Sequence, residues 1–381
     1  MSPAHVVGWG KYVPERVLTN DDLAGMVDTS DGWILSRTGI RERRIAGDGE
    51  TTSSMAIQAA WRALETARLA PAQLDLIIVA TATPDYAFPA TACLVQDALG
   101  AKNAAAFDLS AGCTGFVYGL GVAADMISGD CCRSARNGPD EVATALVIGA
   151  ETLSRITDWT DRATCVLFGD GAGAVVLRSN GAPGGVLATA LGADGSGGDL
   201  LRLPAGGSQE PASHRSVAEG HHYLTMRGRE VFRFAVKAMP DAVREALERA
   251  DLTLDDLDLM VPHQANERIL EVARKALDLA PGIVYRNLAW YGNTSAASIP
   301  IALCEAADEG RIERDDVVVC VGFGAGLTWG ATTIRWSVPL PAEPATVWRR
   351  GQYAALQGYA SLRSLVRRLV RWILSLGVKE P

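Results

Sequence analysis

The chain has 381 residues, with 36 Lys and Arg against 44 Asp and Glu, 48% apolar residues and a formal net charge of −8. This is the composition of a soluble globular protein with room for one or two cores, and the acidic balance argues against a nucleic-acid binder that depends on counterion release. The balance is uneven, because residues 341–381 carry seven Lys or Arg against Glu343 and Glu380, net +5, which leaves residues 1–340 at −13.

Met1 to Gly10 lacks the basic start and apolar run of a signal peptide, and no uncharged stretch of about 18 apolar residues follows. The seven cysteines are an odd number without a C-x-x-C pair, so neither a disulfide framework nor a zinc site is expected and a reducing, cytoplasmic setting is. The first patterned segment is an amphipathic helix ending Ala63-Leu64-Glu65-Thr-Ala67-Arg-Leu69. It turns through Leu74-Asp75-Leu76 into an apolar strand, Leu76–Thr81. The same pattern returns 183 residues later as Ala246-Leu247-Glu248-Arg-Ala250-Asp-Leu252 and Leu257-Asp258-Leu259, identical at eight of fourteen positions. Its strand is Leu259–Pro262. A helix turning into an apolar strand, twice, suggests a duplicated α/β half.

Ala104–Leu109 reads as the next strand and ends in Phe107-Asp-Leu-Ser-Ala-Gly-Cys113-Thr-Gly-Phe. Cys113 therefore stands in a small-residue turn at the junction of a strand and a Gly-rich apolar helix, within the run Leu109–Ala124 that reads as buried. A helix N-terminus stabilises a thiolate, so a lowered pKa and a nucleophilic role are expected. A buried structural cysteine is the alternative reading of this segment alone. Ala145–Ile148 is a further strand, and Gly169-Asp-Gly-Ala-Gly173 precedes another, Ala174–Leu177. The Gly-, Pro- and Ser-rich run Gly192–Gly220 reads as a surface connection between halves.

In the second half, Val261-Pro-His263-Gln-Ala-Asn266 puts a histidine at a strand end, and Trp290-Tyr-Gly-Asn293-Thr-Ser-Ala-Ala-Ser298 puts an amide before a helix. Carboxyl ends of strands are where ligands gather in α/β sheets. Val317–Val321 is a strand. Gly322-Phe-Gly-Ala-Gly326 repeats the G-x-G-A-G of residues 169–173 at an offset of 153, before the strand Ala331–Trp336. Pro339, Pro341 and Pro344 then break the pattern. In Tyr359–Leu376, Leu362, Leu365, Val366, Leu369, Val370, Trp372, Ile373 and Leu376 fall within an arc of about 160°, opposite Arg363, Arg367, Arg368 and Arg371. Docking on the chain's own acidic body, contact with a membrane interface and closure of a dimer are all open to such a helix.

Cys113 in its turn, His263 in PHQAN, Asn293 in GNTSAAS and the run GFGAGLTWG (residues 322–330) together resemble β-ketoacyl-[acyl-carrier-protein] synthase III of the thiolase superfamily, over residues 5 to about 337. Thr29-Ser-Asp-Gly-Trp33, Arg37-Thr-Gly-Ile-Arg41-Glu-Arg and Asp161-Arg162 add to the resemblance. It implies an α/β, thiolase-like duplicated α-β-α-β-α layered fold with an added C-terminal amphipathic helix. The expected division is an N-terminal half over 1–180 carrying the nucleophile, a C-terminal half over 181–338 carrying His and Asn, and a linker and basic helix over 339–381.

The activity implied is a decarboxylating Claisen condensation of an acyl-coenzyme A primer with malonyl-acyl-carrier protein, starting fatty-acid synthesis. It needs no metal or other cofactor, since acyl-coenzyme A is itself a substrate. By the resemblance Cys113 is acylated, the N–H groups of Cys113 and Ala325 form an oxyanion hole, and His263 and Asn293 stabilise the enolate. Thr29, Trp33, Arg37, Arg162 and Asn266 contact coenzyme A, with Trp33 and Arg162 sandwiching the adenine. Arg233, Arg268, Arg274 and Lys275 form a basic patch for the acidic carrier protein, and Phe88 reaches into the acyl pocket of a homodimer partner. Cys320 has the spacing of a second thiolase cysteine, but Asn293 stands where thiolases need a second histidine, so Cys320 reads as a strand residue. A secondary-metabolism relative handling an unusual acyl group, and a non-catalytic carrier-protein or membrane adaptor, are the alternatives.

Overall fold

The computed structural model describes residues 3–129, 144–179, 181–337 and 347–376; Cys131, Cys132 and the three prolines of the linker lie outside them. In chain order the principal elements are β1 (Ala4–Tyr12), α1 (Asp31–Thr38), α2 (Thr52–Ala67), β2 (Leu76–Ala80), α3 (Thr91–Leu99), β3 (Ala105–Leu109), α4 (Gly115–Ser128), β4 (Thr144–Thr152) and β5 (Asp170–Ser179). Then come β6 (Gly185–Ala193), α5 (Gly228–Glu248), β7 (Leu259–Pro262), α6 (Glu267–Ala276), α7 (Ser298–Asp308), β8 (Val317–Gly324), β9 (Thr328–Arg335) and α8 (Val347–Leu376).

The first sheet runs β1-β5-β4-β2-β3 and the second β6-β9-β8-β7. Taken from the first strand of each, β1-β5-β4-β2 and β6-β9-β8-β7 share order and direction, with two antiparallel junctions followed by a parallel one. The repeated helix-to-strand segment is duplicated down to its backbone. Arg68 and Asp251, 183 residues apart, both lie in the left-handed region at φ 57° and 55°. Behind them the amide of Leu69 donates to Leu64 O (3.1 Å) and that of Leu252 to Leu247 O (2.9 Å), the same helix-terminating bond in each copy. Short 3-10 turns, Pro71–Gln73 and Leu254–Asp256, then lead into β2 and β7.

The second sequence echo does not survive. Gly169–Gly173 opens β5, whereas Gly322–Gly326 closes β8, whose counterpart in the first sheet is β4. The two glycine runs meet different local demands and are not duplicated positions.

Between the sheets lie α4 and α7. Phe116, Val117 and Leu120 of α4 and Ile299, Ala302 and Leu303 of α7 share one core with Ile78, Val147 and Val175 of the first sheet and Val261, Val318 and Ile334 of the second. A helix apolar all round is one buried on all sides, which accounts for the long Gly-rich apolar run. The outer faces are covered by α2 and α3 on the first sheet and by α5 and α6 on the second. The layers are α-β-α-β-α, as expected. Residues 192–220 are less purely a connection than their composition suggests. They hold a short strand, Leu201–Arg202, paired with Thr225–Met226, and Leu201 and Met226 face the cavity described below.

The terminal helix begins earlier than its periodicity implies, at Val347, and lies along α2 and α3. The Tyr353 hydroxyl sits 3.0 Å and 3.1 Å from the carbonyl oxygens of Leu64 and Leu69. Ala360 packs over Gly100, and Ser364 and Arg368 bond Asp97.

Candidate active site

A cavity of about 290 Å³ runs from Trp33 and Arg37 at its mouth to Cys113, His263 and Asn293. Three residues separated by up to 180 positions are thus gathered by the two halves onto one space.

Cys113 follows β3 in a 3-10 turn, Gly112–Thr114, that runs directly into α4. The turn is locked against the Gly-rich loop after β8. A Cβ added to Gly324 would stand 2.7 Å from Cys113 N and 3.1 Å from its Cβ, so only glycine permits this approach. Gly112, at φ 53°, faces the amide of Ala325 in the same way. Thr328 Oγ1 clasps the two loops, within 3.1 Å of Ala111 O, 3.0 Å of Ala325 O and 2.9 Å of Thr114 Oγ1. The backbones of Cys113 and Ala325 are therefore held next to each other, the arrangement that an oxyanion hole requires.

The expected lowering of the Cys113 pKa is not found. Burial pushes the thiol up to about 12, the Glu151 carboxyl adds to the rise, and hydrogen bonding from Ser295 opposes it. The position at the start of α4 favours a thiolate, but loss of water costs the charged form more. The resting residue is a thiol.

His263 is 1% exposed and its pKa is depressed to about 3 by burial, so the ring is neutral. Nδ1 lies 2.6 Å from Ser298 Oγ, at the start of α7, and that hydroxyl accepts from the Gln264 amide (3.4 Å). In the tautomer where the Ser298 hydroxyl donates to Nδ1, the ring hydrogen is on Nε2, which is then a donor. Phe323 fixes the ring by an edge contact with centroids 5.3 Å apart. Asn293 is oriented similarly: its Oδ1 accepts from Ser295 N (2.9 Å), which leaves the amide NH2 to donate. Two side chains thus offer N–H donors in the cavity that Cys113 enters.

Behind them stands Glu151, fully buried at the end of β4. It accepts from the hydroxyls of Thr83 (2.5 Å), Ser295 (3.0 Å) and Thr81 (3.2 Å) and from the Ala82 amide (3.1 Å). Burial raises its pKa and these donors oppose the rise. Sequence reasoning missed Glu151, Ser295 and Ser298. The available signal was an acidic residue at the end of the apolar run Ala145–Ala150, which a buried strand does not carry without partners.

At the mouth two guanidiniums pack on the Trp33 ring, Arg37 at 4.5 Å and Arg162 at 4.9 Å from its centre. Arg162 also donates to Asp28 O (2.7 Å). Arg162 occupies the ring face that the resemblance assigns to an adenine, so stacking a base there requires the guanidinium to swing off Trp33. Asn266 caps α6 by accepting from Arg268 N (2.9 Å) and donates to Arg37 O (3.1 Å), which ties the cavity rim together. The Thr29 hydroxyl is buried without a hydrogen-bond partner.

Of the four basic patch residues, Arg233 on α5 and Arg268 on α6 are exposed, with Arg268 stacked 5.8 Å from the Phe232 ring. Arg274 and Lys275 are not free charges. Both pair with Glu271 (2.8 Å and 3.5 Å), which Arg286 also engages, and the two arginines hold its carboxyl down at about 2. The sequence did carry a better stripe: Arg229, Arg233 and Lys237 recur every four residues along the exposed side of α5. Phe88 is 87% exposed and stands away from the cavity. Cys320 is fully buried in β8 with its pKa pushed up to about 12, as a strand residue should be. Among the described residues no cluster of His, Cys, Asp and Glu could hold a metal ion, and no helix is long and apolar enough to cross a membrane.

Family models described as 3-oxoacyl-[acyl-carrier-protein] synthase III and its C-terminal part match residues 107–195 and 247–336. A β-ketoacyl-[acyl-carrier-protein] synthase III of Caldanaerobacter subterraneus subsp. tengcongensis is 55% identical over 334 residues, 88% of this chain and 98% of its own. The crystal structure of 3-oxoacyl-[acyl-carrier-protein] synthase III from Aquifex aeolicus VF5 superposes with a TM-score of 0.78 at 47% identity, covering 87% of this chain and 99% of that one. A priming β-ketosynthase from the R1128 polyketide biosynthetic pathway is similar at a TM-score of 0.80 and 36% identity, covering 89% of this chain and 98% of that one.

Proposed function

The chain belongs to the 3-oxoacyl-[acyl-carrier-protein] synthase III family, and from that premise we propose how its own residues divide the work. The enzyme is an acyltransferase that condenses an acyl-coenzyme A primer with malonyl-acyl-carrier protein, with loss of carbon dioxide, to start fatty-acid synthesis. The single observation that carries the residue assignment is the convergence of Cys113, His263 and Asn293 on one cavity.

In the first step the Cys113 sulfur attacks the thioester carbonyl, coenzyme A leaves, and the thiol proton departs with it as the free thiol. The carbonyl oxygen becomes negative on the way, facing the amides of Cys113 and Ala325. In the second step malonyl-carrier protein binds and its carboxylate leaves as carbon dioxide. The electron pair passes into the thioester as an enolate, whose oxygen accepts from His263 Nε2 and the Asn293 amide. The enolate carbon then attacks the acyl-Cys113 carbonyl, the new carbon–carbon bond forms, and Cys113 leaves and takes up a proton. No external base enters, because decarboxylation supplies the carbanion. The neutrality of His263 suits this role, since it must donate a hydrogen bond and not a proton.

Trp33, Arg37, Arg162, Thr29 and Asn266 form the coenzyme A mouth in this reading. Exposed Arg233 and Arg268, together with Arg229 and Lys237, receive the acidic carrier protein. Exposed Phe88 and the edge strand β3 support a homodimer in which Phe88 meets the partner, in a cytoplasmic setting.

Separate assays of the two half-reactions test the assignment. His263→Ala and Asn293→Ala are expected to load the primer onto Cys113 at near wild-type rate but to lose about 10²- to 10³-fold in malonyl decarboxylation, the usual effect of removing one oxyanion donor. Equal loss in both half-reactions would overturn the assignment.

A further inference from the structure

The terminal helix α8 docks by the wrong face for an ordinary amphipathic helix. Tyr353, Ala360 (4% exposed) and Ser364 meet the body. At about 100° per residue, Leu362, Val366, Leu369 and Ile373 then lie within about 40° of the opposite pole. They are indeed turned outward, with Leu362 at 60% and Leu369 at 53% exposure, and Leu365 and Tyr359 beside them are each 65% exposed. The row from Tyr359 to Ile373 is about 21 Å long at 1.5 Å per residue. It is held level, because contacts at Tyr353, Ala360, Ser364 and Arg368 fasten the helix along its length. The family models end at residue 336, so this helix lies beyond them.

We propose that the outward face of α8 is a docking surface for an anionic lipid leaflet, on which the helix lies flat and holds the enzyme body. Two observations select lipid over a second copy of the chain. The first is charge: Val347–Leu376 contains six arginines and no acidic residue, which attracts anionic headgroups and repels an identical helix. Arg368 meets Asp97, whereas Arg363 contacts the neutral Gly100 carbonyl. The second is width. Leu365 and Trp372 on one side and Val370 on the other widen the apolar face beyond a two-residue seam, at the flanking positions where a paired helix carries charges that specify its partner. A broad apolar face with Trp and Tyr and with arginines behind it is the composition of a helix lying in a lipid interface. This inference stands apart from the assignment of the catalytic residues and survives its failure.

Flotation of the full chain tests it, with vesicles of phosphatidylglycerol and phosphatidylcholine in equal parts and with vesicles of phosphatidylcholine alone. The protein is expected to float with the anionic vesicles, to float about tenfold less with the neutral ones, and to be released by raised salt. Leu365→Glu/Leu369→Glu, and the milder Leu365→Gln/Leu369→Gln, are expected to cut anionic flotation about tenfold while condensation in solution stays at the wild-type rate. Absence of the wild type from both floating fractions would overturn the proposal, as would flotation undiminished in an active double variant. Light scattering in which wild type is a larger oligomer than the active double variant would also overturn it, by assigning the face to a second copy.

Discussion

Cys113 joins two influences that the sequence alone cannot weigh. A turn entering a helix argues for a thiolate, whereas full burial beside the Glu151 carboxyl pushes the thiol up to about 12. Burial dominates because desolvation acts on the whole charge, whereas the helix end contributes only a partial one. Alkylation of Cys113 by iodoacetamide is therefore expected to keep accelerating through about pH 10, above the ordinary cysteine value of about 8.5. A plateau below pH 8.5 would contradict this. His263 shifts in the opposite direction, down to about 3. Unfolded, the ring takes up a proton below pH 6.5, and the native ring refuses it until about 3. Its contribution to stability is thus present above 6.5 and is lost as pH falls from 6.5 toward 3. The residue types were legible in the sequence, since each stands in a distinctive small-residue context. Their ionisation was not, because it is set by burial, with Ser295 and Glu151 adding opposed effects at Cys113, and burial is known only once the halves are packed.

Among the elements, the helix-to-strand duplication was legible because it is local: a terminated helix, a turn and an apolar strand are written in about twenty consecutive residues. The G-x-G-A-G echo misled because glycine runs answer any close approach, and the topology puts one at the start of β5 and the other at the end of β8. The cavity wall depends on contacts of another kind. Arg43, fully buried, donates to Leu18 O, Asn20 Oδ1 and Val166 O at 3.2, 2.9 and 2.8 Å, and so fastens the short strand Glu42–Arg44 to the cavity-lining segment around Val166. Arg43→Met would take the guanidinium donor from Asn20 Oδ1 and Val166 O, both buried, and a loss of about 3 kcal/mol is expected in chemical denaturation. A loss below about 1 kcal/mol would show that these bonds are replaceable.

Across the whole molecule, charge is unevenly distributed. A body of net −13 carries a basic stripe along α5 next to the cavity, and a tail of net +5 carries Arg363, Arg367, Arg368 and Arg371 behind an outward apolar face. Two of the four residues assigned to the patch by resemblance pair with Glu271, so the proposed encounter with carrier protein rests on Arg229, Arg233, Lys237 and Arg268. Arg233→Glu is expected to raise KM for malonyl-carrier protein about tenfold with little change in kcat, and the difference should shrink as salt is raised, since such charges act on encounter. A salt-independent fall in kcat would place Arg233 elsewhere in the mechanism. The layered fold was legible in outline, but which face α8 buries was not, because its periodicity describes the helix and not what the helix meets.

The account rests above all on a covalent acyl group at Cys113 that malonyl-carrier protein then removes. Intact-mass spectrometry after mixing with a panel of acyl-coenzyme A primers measures this directly. The expected result is one acyl mass added per chain with a preferred primer, absent in Cys113→Ala and lost on addition of malonyl-carrier protein as the 3-oxoacyl product appears. No adduct with any primer, or an adduct that persists in Cys113→Ala, would contradict it.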